Sequence, residues 1–429
     1  MAPLEKFKGM LPARLRHGLG VCRSMANDYI LQFRCWYYVN IFTPWAVRRM
    51  RRKPVVNVIF VIAELGMWKT ENLYQAMLAH PRFNPVLRVV PTWENVKAQQ
   101  EVIEYLDKKG YDYRALDKGT PLQDGFNADI IFYQKPYYYA YFEAQRFDRN
   151  LNALYCFVTY GVHSVMSDFI CNQLMHNIAW QYYFENESCA IEIADYMNNR
   201  GRNIVVTGIP LYDRFCKSKE SYHYDWKLQD CVKKRIIYAP HFSFEPDSIL
   251  HYSTFLENGD FMLEMARKYA DEVQFVFKPH PLLQPHLYNY WGKEKTDAYY
   301  AAWENLSNGQ VEMGQYDDLF MTSDAMIHDC GSFTIEYMFT RNPVMYLVHD
   351  KSDSHGSNLC VFAQKAFELQ YKGMTHGEIE SFIRNVINDK DILQNERMEY
   401  YEEFLKPING KTSVENILNE ILCSSKFER

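Results

Sequence analysis

Residues 320–348, FMTSDAMIHDCGSFTIEYMFTRNPVMYLV, pack a strand, a polar loop, a helix and a second strand into one short stretch. Ala325–Ile327 reads as a buried strand, His328–Ser332 as the loop and Phe333–Phe339 as the helix. Arg341-Asn342-Pro343 turns the chain into a strand at Val344–Val348. Two strands joined through a helix lie parallel in one sheet, which commits this part of the chain to a βα architecture. Gly331, Ser332 and Phe333 sit where a helix start presents unpaired N–H groups, which attract phosphate. Glu336, one turn further on, is placed to accept hydrogen bonds from ribose hydroxyls. Together they suit a nucleotide diphosphate at the carboxyl end of a parallel sheet. The same residues also read as an ordinary turn with a capping Ser.

The alternation continues on both sides. Val55–Ala63 is a nearly unbroken apolar run, as in a strand buried on both faces. A helix is expected at Lys69–Ala79, and further strands at Val86–Val90, Ile130–Tyr133, Leu154–Thr159 and Ile204–Thr207. Glu94–Lys109 and the whole stretch Asn172–Asn198 read as helical. A second series has strands at Ile236–Ala239 and Val273–Phe277, with helices at Gly259–Ala270, His376–Ile387 and Asp391–Phe404. A chain of 429 residues exceeds one compact core. The expected fold is α/β, two doubly wound Rossmann-like domains facing a cleft, preceded by an N-terminal helical membrane-surface segment. The expected divisions are residues 1–53, 54–225, 226–408 and 409–429. Cys216–Lys234 forms the polar boundary between the domains, and a final helix starts in the capping box Thr412-Ser413-Val414-Glu415.

Charge singles out the first of these pieces. Residues 1–53 hold eleven Lys or Arg and two acids, while the whole chain carries −6. Cys35–Val47 is uncharged but too short to span a bilayer. Its Trp and Tyr residues, beside Arg48-Arg49-Met50-Arg51-Arg52-Lys53, suit an anionic membrane surface. A pair of helices packed on the first domain is the other reading. The basic run is short and the rest of the chain is acidic, which argues against nucleic acid. The ten Cys include no Cys-x-x-Cys pair, so no zinc or redox motif is indicated. With no signal peptide evident, free thiols in a cytoplasmic protein, peripheral on the inner face of the membrane, are expected. No metal cluster is visible and the sequence requires no cofactor. A Mg²⁺ ion held by substrate phosphates would leave no signature.

Four pieces recur in order: Gly208-Ile209-Pro210-Leu211-Tyr212-Asp213, Tyr238-Ala239-Pro240, Lys278-Pro279-His280-Pro281 and Asp329-Cys330-Gly331-Ser332. In this order and spacing the chain resembles the CDP-glycerol (or CDP-ribitol) glycerophosphotransferase family, over roughly residues 57–420. That family builds teichoic-acid-like polyol-phosphate chains. The resemblance implies a glycosyltransferase-B-like architecture and transfer of a polyol phosphate from a CDP-linked donor, with release of CMP. The acceptor would be a hydroxyl of a lipid-linked or polymeric cell-surface glycan. The final helix would cross back to the first domain.

The resemblance also suggests roles. His163 stands where the family has the His of a His-Gly-Thr-Pro motif, read as the base, with Ser164-Val165 following it here. His280, fixed between two prolines, would act on the donor phosphate. His241 replaces a phosphate-binding run of the family, and Lys278 would neutralise phosphate. Asp329 would orient His280 or cap a helix. Asn72 and Ser164 would lie on the acceptor side, and Asp213 in a structural turn. An inverting glycosyltransferase using a nucleotide-sugar remains an alternative, as does a non-catalytic membrane scaffold.

Overall fold

The computed structural model describes residues 28–93, 95, 97–245, 252–314, 316–349 and 359–423. The expectations for residues 1–27 and for Glu94 fall outside this set. The first sheet comprises β1 (Val56–Ile62), β2 (Phe83–Val89), β3 (Tyr113–Ala115), β4 (Ile130–Tyr133), β5 (Leu154–Val158), β6 (Gln181–Phe184) and β7 (Ile204–Val206). Its order is β3-β2-β1-β4-β5-β6-β7, with every pairing parallel. The second comprises β8 (Lys234–Ala239), β9 (Val273–Phe277), β10 (Gly309–Val311), β11 (Ala325–His328), β12 (Val344–Leu347) and β13 (Tyr371–Gly373). Its order is β10-β9-β8-β11-β12-β13, again all parallel. Strand order reverses between β1 and β4 in one sheet and between β8 and β11 in the other. Such reversals open a crevice at the carboxyl ends, where doubly wound folds bind ligands.

Helices on both faces explain the continuous apolar runs. Every residue of β9 is buried, as is all of β1 except Asn57. The reading of Asn172–Asn198 as wholly helical is corrected. Helices Asp168–Cys171 and Leu174–Ile178 lead into β6, and helix Glu187–Tyr196 follows it. Four buried residues, Gln181-Tyr182-Tyr183-Phe184, are too few to show a period, though aromatic residues favour strands. The helix expected over Phe333–Phe339 is one α turn, Phe333–Glu336, tightening into a 3₁₀ turn at Tyr337–Thr340.

Helix Ser413–Cys423 packs Val414, Ile417 and Ile421 into the core beneath the first sheet, beside Val58 and Phe60 of β1. Its start is doubly capped. Thr412 and Glu415 exchange hydrogen bonds at 2.8 and 3.2 Å. Asp213 accepts the Ser413 and Val414 N–H groups at 2.7 and 3.0 Å. Gly208 passes so close to the Ser413 hydroxyl that a Cβ would collide with it, and its φ of +74° also favours glycine.

The N-terminal stretch is helical from 28, passes through a π turn at Tyr38–Phe42 and continues as Thr43–Arg52. One face is packed. Tyr38 donates to the Ala153 carbonyl at 2.7 Å and accepts the Tyr155 N–H at 3.0 Å, while Val47 and Met50 enter the core. The other face exposes Ile30, Phe33, Trp36, Ile41 and Trp45. Among the described residues no helix is long and apolar enough to cross a membrane.

Candidate active site

The residues singled out in the second half gather where β8, β9 and β11 end. Asp329, directly after β11, is fully buried and accepts the His241 N–H at 2.5 Å, the Thr254 N–H at 2.6 Å and the Thr254 hydroxyl at 3.0 Å. It thus ties the loop after β8 to the start of helix Phe255–Lys268. Of its two expected roles the helix-start role fits, and no hydrogen bond joins it to His280. Burial pushes its carboxyl up to about 7, against those three donors.

His241 and His280 form a pair with ring centres 4.9 Å apart. The Leu282 N–H donates to His280 Nδ1 at 3.1 Å. Ser243 Oγ accepts the Tyr252 N–H and lies 2.7 Å from His241 Nδ1, so its own proton points to that nitrogen. In each neutral ring the proton is thereby placed on Nε2. Burial keeps both neutral, at about 3 for His241 and about 4 for His280, with Lys278 and His286 adding to the second shift. The result is two neutral N–H donors side by side, suited to an anion without carrying charge of their own.

Lys278 is 4% exposed and makes no ion pair among the described residues. Its ammonium lies 5.8 Å over the ring of Tyr316. The Arg214 guanidinium lies 5.5 Å over the same ring and bonds Asp317 at 2.6 Å. The Tyr316 hydroxyl bonds Glu336. Glu336 is buried, and its Oε2 has no hydrogen-bond partner. Burial raises its carboxyl, against the opposing pull of Tyr316, Lys69 and Arg214. Lys69, at the first sheet's crevice, reaches this carboxylate's field. Burial lowers its ammonium, and it too makes no ion pair. Its backbone N–H donates to Gln134 Oε1, beyond β4, at 2.7 Å. Buried charge is costly unless it is paired, so the Lys278 ammonium and the unbonded Glu336 Oε2 beside Tyr316 mark groups with capacity to hold a polar, charged ligand.

Gly331 and Ser332 are exposed, and the Ser332 side chain does not cap the helix. Its Oγ lies 3.3 Å from Cys330 Sγ, and the N–H groups of Ser332 and Phe333 approach the same sulfur. His328 is held by the Cys330 backbone and Gln370, deep in the sheet.

On the first sheet, His163 follows β5 and lines a pocket of ≈ 210 Å³ with Ser164, Tyr137, Tyr160 and Tyr182. Glu185, just past β6, accepts its backbone N–H at 2.7 Å and its Nδ1 proton at 2.8 Å. The ring stacks on Phe184 at 4.4 Å. With Nδ1 protonated, Nε2 accepts the Tyr182 hydroxyl at 2.6 Å, and burial keeps that phenol protonated. A second hydroxyl reaches Nε2 only by displacing Tyr182. Cys189 brings a third potential metal ligand within 4.8 Å of His163 and Glu185. The His and Glu are spent on each other, however, and the protonated thiol donates to the His163 carbonyl at 3.4 Å. Ser164 offers its carbonyl to the Cys360 N–H at 2.9 Å, joining the two halves beside the Val165–Leu359 bridge. The Asn72 amide has a partner within the fold. It donates to the Pro210 carbonyl at 2.9 Å and fixes the turn that carries Asp213.

Sequence reasoning missed Glu185, Tyr182, Tyr316, Arg214 and Lys69. The first two lie on or beside the overlooked β6. Arg214 follows a quoted motif, whereas nothing local marks Tyr316.

Two parallel sheets, each with a strand reversal, form a doubly wound α/β fold of the glycosyltransferase-B-like kind. Residues 166–423 match the model of the family described as CDP-Glycerol:Poly(glycerophosphate) glycerophosphotransferase, and the chain belongs to that family. It is 27% identical over 214 residues to the minor teichoic acid biosynthesis protein GgaB of Bacillus subtilis (strain 168). That match takes in 47% of this chain and only 21% of that protein. A variant of the wall teichoic acid polymerase TagF soaked with CDPG superimposes with TM-score 0.56 at 14% identity, covering 92% of this chain and 98% of the other. The UDP-GlcNAc 2-epimerase from Neisseria meningitidis bound to UDP-GlcNAc gives 0.52 at 14%, covering 86% and 99%. At these identities the two structures speak for the fold alone.

Proposed function

We propose that this chain transfers glycerol phosphate or ribitol phosphate from a CDP-linked donor to a hydroxyl of a lipid-linked or polymeric cell-surface glycan, releasing CMP. The observation that carries the reading is Lys278 and the unbonded Glu336 Oε2 beside Tyr316, with Lys69 reaching Glu336 from the first sheet. The ammonium groups would neutralise the diphosphate, with His241 and His280 donating Nε2–H to its oxygens. Glu336 Oε2 would accept from a ribose hydroxyl. The acceptor oxygen would bond to the β-phosphorus as the bond to CMP breaks, and its proton would pass to His163 Nε2. Glu185 would hold that ring and stabilise it once charged. In-line positioning and charge neutralisation are what phosphoryl transfer asks of a protein.

The outward aromatic face of the N-terminal helices, with its flanking arginines, supports a peripheral position on the inner face of the cell membrane. The test of the reaction is incubation with CDP-glycerol, CDP-ribitol, UDP-, GDP- and dTDP-sugars. Release of CMP from a CDP-polyol is expected. Release of a nucleoside diphosphate from a sugar donor would replace the reading with glycosyl transfer.

A further inference from the structure

The second sheet has a cavity of ≈ 420 Å³ at the end opposite to the donor groups. Arg235 is the second residue of β8, Asp324 immediately precedes β11 and Asn342 lies two residues before β12, so the walls are the amino ends of these strands. The segment leaving the first sheet closes it with Lys217 and Lys219, and Tyr401 forms the far side. Four cationic side chains thus meet one carboxylate. None of the four makes an ion pair among the described residues. Arg235 lies 5.1 Å over Trp226, Arg341 4.8 Å over Tyr401 and Lys217 5.7 Å over Tyr222. Asp324 accepts the Arg235 backbone N–H at 2.8 Å, not its guanidinium.

Two departures from regular backbone converge on the same space. Arg341 has a φ of +62°, a conformation uncommon for a side chain of this size. Tyr401 opens a π turn, Tyr401–Leu405, at the end of helix Gln394–Tyr400. Both hold a residue at the cavity wall, and Arg341 is thereby pinned over the Tyr401 ring. Half-buried guanidinium groups without carboxylate partners, held apart by aromatic faces, are the arrangement that captures phosphate oxygens. The volume falls within the range of small-molecule pockets.

We propose that this cavity is a second anion site, which binds a phosphate group independently of the donor crevice. Lys217 and Lys219 are exposed at its mouth, so the phosphate can be free or carried on a longer chain. Calorimetric titration of the full chain with inorganic pyrophosphate tests it. Binding is expected to survive Lys278→Met and to weaken about tenfold in Arg235→Gln, which removes a charge-assisted bidentate donor. Because Arg235 also packs on Trp226, the exposed pair Lys217→Gln/Lys219→Gln, which keeps Arg235 on Trp226 and gives up the exposed Lys217 contact with Tyr222, should weaken binding too. A synthetic tri(glycerol phosphate) that binds more tightly than pyrophosphate identifies a chain-borne phosphate, and equal binding a free one. Pyrophosphate binding that is unchanged in both cavity variants, or that Lys278→Met alone abolishes, overturns the proposal.

Discussion

At the scale of single residues, His163 shows how a neighbour sets the chemistry of a ring. Glu185 fixes the proton on Nδ1 and would offset the charge that Nε2 gains. Glu185→Gln should lower turnover by about 10²-fold with donor affinity nearly unchanged, and should shift the pH profile of kcat. Tyr182→Phe should stay within a few-fold of wild type if the acceptor displaces that hydroxyl. Equal loss in Tyr182→Phe and His163→Ala would mean the proton travels through the phenol. The donor pair makes a separate prediction. His241 and His280 titrate at about 3 and about 4 in the fold, against an ordinary 6.5. Between 6.5 and 4 the unfolded chain binds more protons than the folded one, so their contribution to stability is present above 6.5 and is lost as pH falls. In His241→Gln/His280→Gln, urea denaturation midpoints should depend less on pH in that window; an unchanged slope would show the rings to be solvated. His163 and His280 were legible because each follows a buried apolar run. Glu185 was not, since its importance arises only from a strand pairing across the chain.

Among the elements, legibility followed burial. β1, β4 and β9 are enclosed on both faces and read as apolar runs. Of the four three-residue edge strands, β7 was legible from its run Ile204-Val205-Val206, whereas β3 (Tyr113-Arg114-Ala115), β10 (Gly309-Gln310-Val311) and β13 (Tyr371-Lys372-Gly373) mix polar residues or glycine into a run too short to show a period. The N-terminal segment is one helical run through a π turn, not a pair of helices; one face packs on the first domain and the other exposes apolar side chains, which leaves the membrane-surface reading to experiment. Deleting the segment would therefore strip the core of Val47 and Met50, so substitution is the sounder test. Phe33→Ser/Trp36→Ser/Trp45→Ser should leave thermal stability nearly unchanged and reduce flotation with anionic vesicles severalfold, because aromatic contacts at the headgroup level are not screened by salt. Full flotation of the triple variant would place membrane contact elsewhere or remove it.

For the whole molecule, the two sheets meet through charge as well as apolar packing. Lys69 belongs to the first sheet and acts on Glu336 of the second, so donor binding would draw on both halves. Lys69→Met should weaken CDP-glycerol binding about tenfold while leaving the thermal midpoint nearly unchanged, since Lys69 is half-buried and makes no ion pair among the described residues. A lowered midpoint with unaltered binding would make Lys69 a structural strut. The return of helix Ser413–Cys423 to the first sheet bears on how the protein is made. Residues near 60 and near 417 share one core, so the earlier half emerges from the ribosome with an apolar groove that is covered by a helix made much later. Until that helix has been made, the groove is a liability for aggregation. The first sheet's core is therefore complete only after the second sheet has been made.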